Sequence, residues 1–479
     1  MTEATATSSA WSEVRSALLN IVGEKGCLFD PGDTADYCVD WRQLRKGSTP
    51  AVVRPASTEE VAAVVRLCAE RRIPIVPQGG NTNMVIGATP SADGTEIVLL
   101  LSRMNRIRNL DPVDLTLTID AGATLKAAQE AALAEGCIVP LTMGSEGSAQ
   151  IGGVLSTNAG GNNTLRFGNA RDLVLGLEVV LPDGTIWNGL RRLRKDNTGY
   201  CLRQLFVGAE GTLGIITGAV LKLVPRPRDL ALALCSVSST QAALDLLVLC
   251  RAHFHDSINA FEYMEGHVME IIRKHFPETR YPLAEPAAHY AWVELAAASP
   301  DAGLREKLEE LLAEAMDKGI VLDAALAGSS SERAAIWQLR EEVTDAQQRE
   351  GTSIKNDVTV PVSKTPEFIT RATAECERQF PGIRVMAYGH LGDGNTHFNL
   401  TVPLGGDNAA FKERTHEVQA VVNEVVRQFD GSFSAEHGIG ALKPYMMEKW
   451  RGGAELDTMR KIKAALDPLG IMNPGKLLP

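Results

Sequence analysis

Cysteine pairs at C-x-x-C spacing, apolar runs of membrane-span length and a surplus of basic residues are all missing from this sequence. Each absence removes a class of function. The eight cysteines are scattered, mostly in apolar settings such as Val65-Arg66-Leu67-Cys68 and Val248-Leu249-Cys250. Buried thiols in a reducing compartment are therefore expected, not a disulfide frame or a zinc knuckle. No segment approaches the roughly 20 apolar residues of a spanning helix. A net charge of −11 argues against a nucleic-acid footprint. The one basic run, Arg191-Arg192-Leu193-Arg194-Lys195, is followed at once by Asp196 and reads as a solvated loop. Met1 to Ala10 is small and polar, carries Glu3 and precedes the first arginine, Arg15. That pattern is unlike a signal peptide or a mitochondrial presequence, so a cytoplasmic enzyme is the expectation. Nucleotide fingerprints are absent as well. No glycine segment fits G-x-G-x-x-G after a strand, and none ends in the Gly-Lys-Ser/Thr of a phosphate-binding loop.

What is present is periodicity. A chain of 479 residues predicts two or three domains. Trp11, Val14, Leu18 and Val22 recur at helical spacing within an N-terminal segment, 1–47. Residues 51–76 read as strand, helix, strand, with Ser57-Thr58-Glu59-Glu60 as a capping box and Val61, Val64, Val65 and Cys68 as the apolar stripe. Strands then dominate, at 96–101, 115–119, 173–181 and 214–224, and Pro182-Asp183-Gly184 makes a hairpin turn. This region, 48–226, closes at Pro225-Arg226-Pro227. From 227 to 440 short strands (230–237, 290–295, 321–325, 354–360, 385–390, 397–402) alternate with amphipathic helices. That order suits a sheet with helices packed on one face, giving an α+β protein. A helical tail, 441–479, ends at Asn473-Pro474-Gly475-Lys476.

Two segments concentrate chemistry. His390-Leu391-Gly392-Asp393-Gly394-Asn395-Thr396-His397-Phe398-Asn399 reads as two strands joined by a tight turn. Alternation puts His397, Asn399 and Thr401 on one face, and His390 meets His397 across the turn. With Glu436 of Ser434-Ala435-Glu436-His437-Gly438, the two imidazoles would form a site for a divalent metal with a position left open. The same letters also suit an ordinary turn with neighbouring histidines. Three of only nine histidines fall in these segments, which favours chemistry. Elsewhere, Pro77-Gln78-Gly79-Gly80-Asn81-Thr82, Ile151 to Gly161 and Gly208 to Gly214 pair glycines with Asn, Ser and Thr. Such loops bring backbone N–H groups close to an anion such as a pyrophosphate; singly, each would also serve as a tight turn.

Pro77 to Thr82, Ile151 to Gly161, Leu193 to Tyr200 and Gly208 to Thr217 together resemble the flavin-binding domain of the vanillyl-alcohol oxidase/p-cresol methylhydroxylase (PCMH) superfamily. The motifs around His390, His397 and Glu436, and the terminal Asn473-Pro474-Gly475-Lys476, resemble its FAD-linked 2-hydroxy-acid dehydrogenase branch, nearest the D-2-hydroxyglutarate dehydrogenases. The resemblance implies a PCMH-type FAD-binding domain and a ferredoxin-like cap whose antiparallel sheet is covered by helices. It also implies noncovalent FAD, a tail returning to the flavin, and zinc (or Mn2+) on His390, His397 and Glu436. The flavin would be held by Pro77, Gly79, Gly80, Asn81 and Thr82, then by Gly144, Ser148, Gly152, Gly153, Thr157, Asn158, Gly160 and Gly161. Gly211, Gly214, Ile216 and Asn473 complete that set. Substrate would meet Arg340, Thr344, Lys355, Asn399 and His437. One departure is Asn83-Met84, where relatives often have glycine after the threonine.

These parts allow a definite reaction. Oxidising a 2-hydroxy acid removes a hydride, which flavin N5 can take, and a hydroxyl proton. A metal on the hydroxyl and carboxylate would lower the hydroxyl pKa. His437, beside Glu436, is the candidate base, with a structural role as its alternative. Arg340 and Thr344 lie one helical turn apart beside the stripe Ile336, Leu339 and Val343. Arg340 and Lys355 would hold the distal carboxylate of D-2-hydroxyglutarate; D-lactate, D-malate or glycolate on the same scaffold is the near alternative. A metal-dependent hydrolase and a non-catalytic flavoprotein are rivals. Expected partners are a small hydroxy acid, an electron acceptor such as electron-transfer flavoprotein or a quinone, and a second copy of the chain in a homodimer.

Overall fold

Contacts along the backbone divide the chain into two units. One comprises the chain up to Gly160, Gly168–Arg226 and Glu436–Pro479; the other comprises Gly161–Phe167 and Pro227–Ala435. The computed structural model describes residues 3–479, with side chains from Trp11 onward.

The first unit opens with the helix Glu3–Val22, which buries Val14, Leu18 and Val22 and packs on the helix Thr58–Arg71. The latter buries Val61, Val64, Val65 and Cys68, as its periodicity predicts. Its start differs from the expected capping box. The Ser57 hydroxyl accepts from Glu60 N–H at 3.2 Å, but the Glu60 carboxylate accepts from Ala56 N–H at 2.7 Å, one residue short of the reciprocal bond. Two sheets follow. Cys27–Leu28, Val52–Val53, Ile97–Leu100 and Ile75–Gln78 form a small sheet, parallel in its last three strands. Ile107–Asp111, Thr116–Asp120, Ile215–Lys222, Val174–Val180 and Ile186–Gly189 form an antiparallel one. Gly184, at φ +81°, takes the left-handed position of the Pro182-Asp183-Gly184 turn.

The chain's tail belongs to this unit. After the helix Ala454–Leu466, Ile75 N–H donates to Ile471 O and Asn473 N–H to Ile75 O, each at 2.8 Å. These bonds tie Asn473 to the strand that leads into Gly79.

The second unit is built on an antiparallel sheet. Its order is Val321–Leu326, Asp229–Val237, His289–Ala297, Ile258–Glu265, Arg384–Gly389, Asn395–Thr401 and Ser353–Ile354, with Asp357–Thr359 also on Asn395–Thr401. The strand Ile258–Glu265 escapes sequence reading because nearly all of it is buried, so it shows no alternation. Helices cover both faces, not the single face expected. Met264, Trp292, Met386 and Tyr388 pack with Ile336, Leu339 and Val343, and Trp292 Nε1–H donates to Ile336 O at 3.0 Å. On the opposite side Tyr263 bonds Thr240 of Thr240–Phe254, and the Phe398 ring packs at a tilt against Phe368 of Thr365–Gln379, centroids 5.6 Å apart. Central strands apolar on both sides need two layers of cover. The short segment Gly161–Phe167 joins this unit through Asn259 Nδ2 to Asn163 Oδ1 (2.9 Å) and Arg166 Nη1 to Ala296 O (2.8 Å).

Candidate active site

The hairpin forms as the letters predict. Arg384–Gly389 pairs with Asn395–Thr401 in the register Tyr388↔His397 and Met386↔Asn399. His397 and Asn399 therefore share the face of Tyr388 and Met386, while Phe398 turns to the other helix layer. The turn is longer than a two-residue one. Asp393 and Gly394 N–H both point at His390 O, and Gly394 sits at φ +84°. The His390 and His397 rings meet edge to face, centroids 5.6 Å apart.

Glu436 follows directly on the second unit's last residue, whose N–H donates to Asp357 O at 3.2 Å. Ligand atoms of His390, His397 and Glu436 lie within 4.8 Å of one another. Asp357, Glu436 and His437 form a second, overlapping group of the same kind. Each imidazole has a carboxylate at Nδ1: Glu262 at 2.5 Å from His390, and Asp357 at 3.8 Å from His397. At His390 the short contact holds the proton on Nδ1 and leaves Nε2 as the lone-pair nitrogen, while Asp357 lies too far from His397 for a hydrogen bond. Two imidazoles and a carboxylate this close are a donor set that fits a divalent metal.

Beside it on the same sheet face lies a polar cluster. The Arg340 guanidinium lies 5.0 Å over the Tyr388 ring, and its Nε donates to Glu262 at 2.9 Å. The Tyr388 phenol, pushed up by burial, bonds Thr344 and Asn399. Asn399 Nδ2 reaches Gln347 Oε1 and Tyr388 Oη, each at 3.2 Å, and Lys355 Nζ also donates to Gln347 Oε1. Lys355 does not lie within a continuous strand. The expected 354–360 strand breaks at Lys355-Asn356, because Asn399 Oδ1 takes the Asn356 N–H at 3.1 Å while Asn356 Nδ2 bonds Phe398 O at 2.9 Å. The predicted helix around Arg340 is likewise interrupted, at Glu342.

Sequence reading missed Glu262 and Gln347, both fully buried. Burial alone would push the Glu262 carboxyl up, but the charges of His390 and Arg340 outweigh it and hold it at about 2. An aromatic-rich strand carrying one central acid was the available signal for Glu262.

In the first unit the glycine loops converge. Pro77 lies in Ile75–Gln78, and Gly79 and Gly80 follow it at once. A Cβ on Gly80 would stand 1.9 Å from Ser148 O, so only glycine allows the two loops to touch. Gly152 and Gly153 lie in the short helix Ile151–Ser156, and the space beside Gly144 and Gly153 is open to 4 Å. Asn81 and Asn158 take positive φ, at +52° and +51°. Gly211 packs on Pro77, and Glu210 N–H donates to Ser156 O at 2.8 Å, joining the third loop to the others. Asn473 Nδ2 donates to Gly87 O and Glu210 O at 2.9 and 2.7 Å. Asn83 closes the loop that follows Thr82: its Oδ1 accepts from Val85 and Gly87 N–H at 2.9 and 2.8 Å.

Three of the expected flavin residues have side chains or positions already committed within the fold. The Thr157 hydroxyl bonds back to Gly153 O at 3.0 Å, Ile216 is buried in its strand, and Gly160 ends a stretch from which Gly161 passes to the other unit. The cradle still fits FAD on its own terms. Gln150 Oε1 and Asn473 Oδ1 are buried acceptors with no protein partner, which ring N–H or ribityl hydroxyl groups would satisfy.

His437 and its neighbours are anchored within this unit. Glu210 accepts Ile439 and Gly440 N–H at 2.7 Å each, and burial pushes its carboxyl up against these bonds.

The fold and these sites define a flavin-dependent oxidoreductase. Residues 49–189 match a family model described as "FAD binding domain", and 226–477 one described as "FAD linked oxidases, C-terminal domain". The chain belongs to the FAD-linked oxidases. It is 38% identical over 472 residues to "D-2-hydroxyglutarate dehydrogenase, mitochondrial" of Bos taurus, covering 98% of this chain and 84% of that protein. It is 36% identical to "D-2-hydroxyglutarate dehydrogenase" of Xanthomonas citri pv. viticola, covering 94% and 93%. Among solved structures it resembles p-cresol methylhydroxylase with substrate bound, at a TM-score of 0.74 and 16% identity over 97% of this chain and 96% of that one. That likeness gives the fold. No described helix is long and apolar enough to cross a membrane.

Proposed function

We propose that the chain is an FAD- and metal-dependent dehydrogenase of D-2-hydroxy acids, with D-2-hydroxyglutarate as substrate and 2-oxoglutarate as product. One observation carries this reading: the imidazoles of His390 and His397, members of a metal-type donor set, and two cationic side chains, Arg340 and Lys355, stand together in the second unit. The named relatives support the substrate.

FAD on the glycine loops would supply the acceptor for the hydride that leaves the carbinol carbon. Zn2+ or Mn2+ on His390, His397 and Glu436 would supply Lewis acidity toward the substrate's hydroxyl and 1-carboxylate. His437 takes the hydroxyl proton, and Glu210 holds the backbone that follows it. Arg340 and Lys355 bind the distal carboxylate; Asn399 and Thr344 orient it through hydrogen bonds. Arg340 has its Nε on Glu262, so its Nη groups are the fork offered to substrate. Electrons leave to an electron-transfer flavoprotein or a quinone. Unpaired cysteines suit a reducing compartment, and the cytoplasm is the one we assign.

The test is anaerobic flavin bleaching across a panel of D- and L-2-hydroxy acids. D-2-hydroxyglutarate should bleach the yellow protein and its L isomer should not. Lys355→Met should harm D-2-hydroxyglutarate turnover much more than D-lactate turnover; equal losses would refute the dicarboxylate assignment. A colourless preparation that is active as a hydrolase would overturn the whole reading.

A further inference from the structure

Glu262 lies in the middle of a strand that the proposed reaction does not otherwise use. Its neighbours fix its place. Tyr263 pairs with Gly389 across Ile258–Glu265 and Arg384–Gly389, so Glu262 falls beside His390 just beyond the paired stretch. On the other side it pairs with Trp292. Its side chain is fully buried and splits its two oxygens between partners: Oε1 to His390 Nδ1 at 2.5 Å and Oε2 to Arg340 Nε at 2.9 Å.

The surroundings make a purely stabilising role a poor explanation. Met264, Trp292 and Met386 on this face belong to an apolar core. An ion pair buried in such a place loses hydration that its mutual attraction seldom more than repays, and an apolar residue would fill the space as well. What an apolar residue cannot do is hold an imidazole in one tautomer and aim a guanidinium.

We propose that Glu262 is a positioning residue that couples metal binding to recognition of the substrate's distal carboxylate. Through Oε1 it keeps the proton on His390 Nδ1 and turns Nε2 toward the metal. Through Oε2 it takes up Arg340 Nε and so fixes the plane in which the two Nη groups meet a carboxylate. Losing the carboxylate therefore disturbs both at once. This proposal rests on the metal-dependent reading above, and the experiment separates the two.

The measurement is zinc affinity of the metal-stripped, FAD-loaded protein, by competition with a chromophoric chelator. It is paired with 2-oxoglutarate binding in the presence and absence of zinc. Glu262→Gln should weaken zinc by about 10–100-fold, weaken 2-oxoglutarate, and abolish the enhancement that each gives the other in the wild type. Glu262→Asp retains the charge but is shorter, and should fall between them; it also serves if the glutamine variant does not fold. A variant with normal flavin content and melting temperature whose zinc affinity stays within about twofold of wild type would overturn the proposal. Lower melting temperature with unchanged zinc affinity would do the same, since that is what a structural role gives. His390→Ala is the control. If it too keeps wild-type zinc affinity, the metal reading itself fails, whatever Glu262 does.

Discussion

The two units do their work with different parts of the chain. The first presents backbone: Gly80 lies against Ser148 O, Asn81 and Asn158 bend to positive φ, and loops meet through main-chain bonds such as Glu210 N–H to Ser156 O. The second presents side chains standing on a rigid sheet, each steered by another: Glu262 behind His390 and Arg340, Gln347 behind Lys355 and Asn399. The difference follows the ligands proposed for each unit. A long anionic cofactor is held by many amides that must come close, which favours residues without side chains. A small hydroxy acid and a metal need a few donors at fixed angles, which favours buried groups with locked rotamers.

This contrast predicts that damage stays on its own side. The largest expected effect is that of His390→Ala or His397→Ala: turnover falls by about a thousandfold, the scale of losing a Lewis acid, while flavin content is unchanged. Chelation of the wild type should do likewise and be reversed by Zn2+ or Mn2+. Flavin loss in either variant would break the contrast. Next is Gly80→Ala. A methyl 1.9 Å from Ser148 O forces the loops apart, at about 3 kcal/mol of stability and with loss of bound FAD on the purified protein. Zinc affinity should survive. Its loss in that variant would show that the glycine loops do more than hold a flavin.

The same contrast explains what could be read from the letters. Side chains near a turn are legible: the Gly-Asp-Gly-Asn connection sets His390 against His397, and strict alternation puts His397 and Asn399 on one face. Glycine segments are legible as loops, but not their meeting, because the contact of Gly80 with Ser148 joins residues far apart in sequence. Glu262 stayed hidden because its strand is buried on both faces and carries no period-two signal. The break at Lys355 was hidden for another reason. It depends on Asn399 replacing a ladder acceptor with its side chain, a competition that propensity does not encode. Helices on both faces of the second sheet were missed because the one-face expectation rested on strands alternating with helices, which does not say on which face each helix packs.

The smallest effect expected is a pH dependence in the second unit, at Glu265, which sits outside the metal group. Burial pushes its carboxyl from the ordinary 4.5 up to about 7; Ala387 N–H opposes this, and Glu377 adds to it. His267, 4.0 Å away, is itself pushed down by burial and so gives little positive charge near neutrality. Below about pH 4.5 Glu265 is protonated whether the chain is folded or not, and it costs nothing. Between about 4.5 and 7 the unfolded chain releases the proton while the folded one keeps it, so stability falls as pH rises. Above about 7 the cost is complete, on the order of 2 kcal/mol once partial hydration is allowed for. Glu265→Gln keeps an acceptor for Ala387 N–H and removes the ionisation. Urea midpoints of the variant and the wild type should therefore coincide near pH 4.5 and separate by pH 8, with the variant the more stable. Midpoints that keep a constant gap across that range would mean that Glu265 ionises normally in the folded chain.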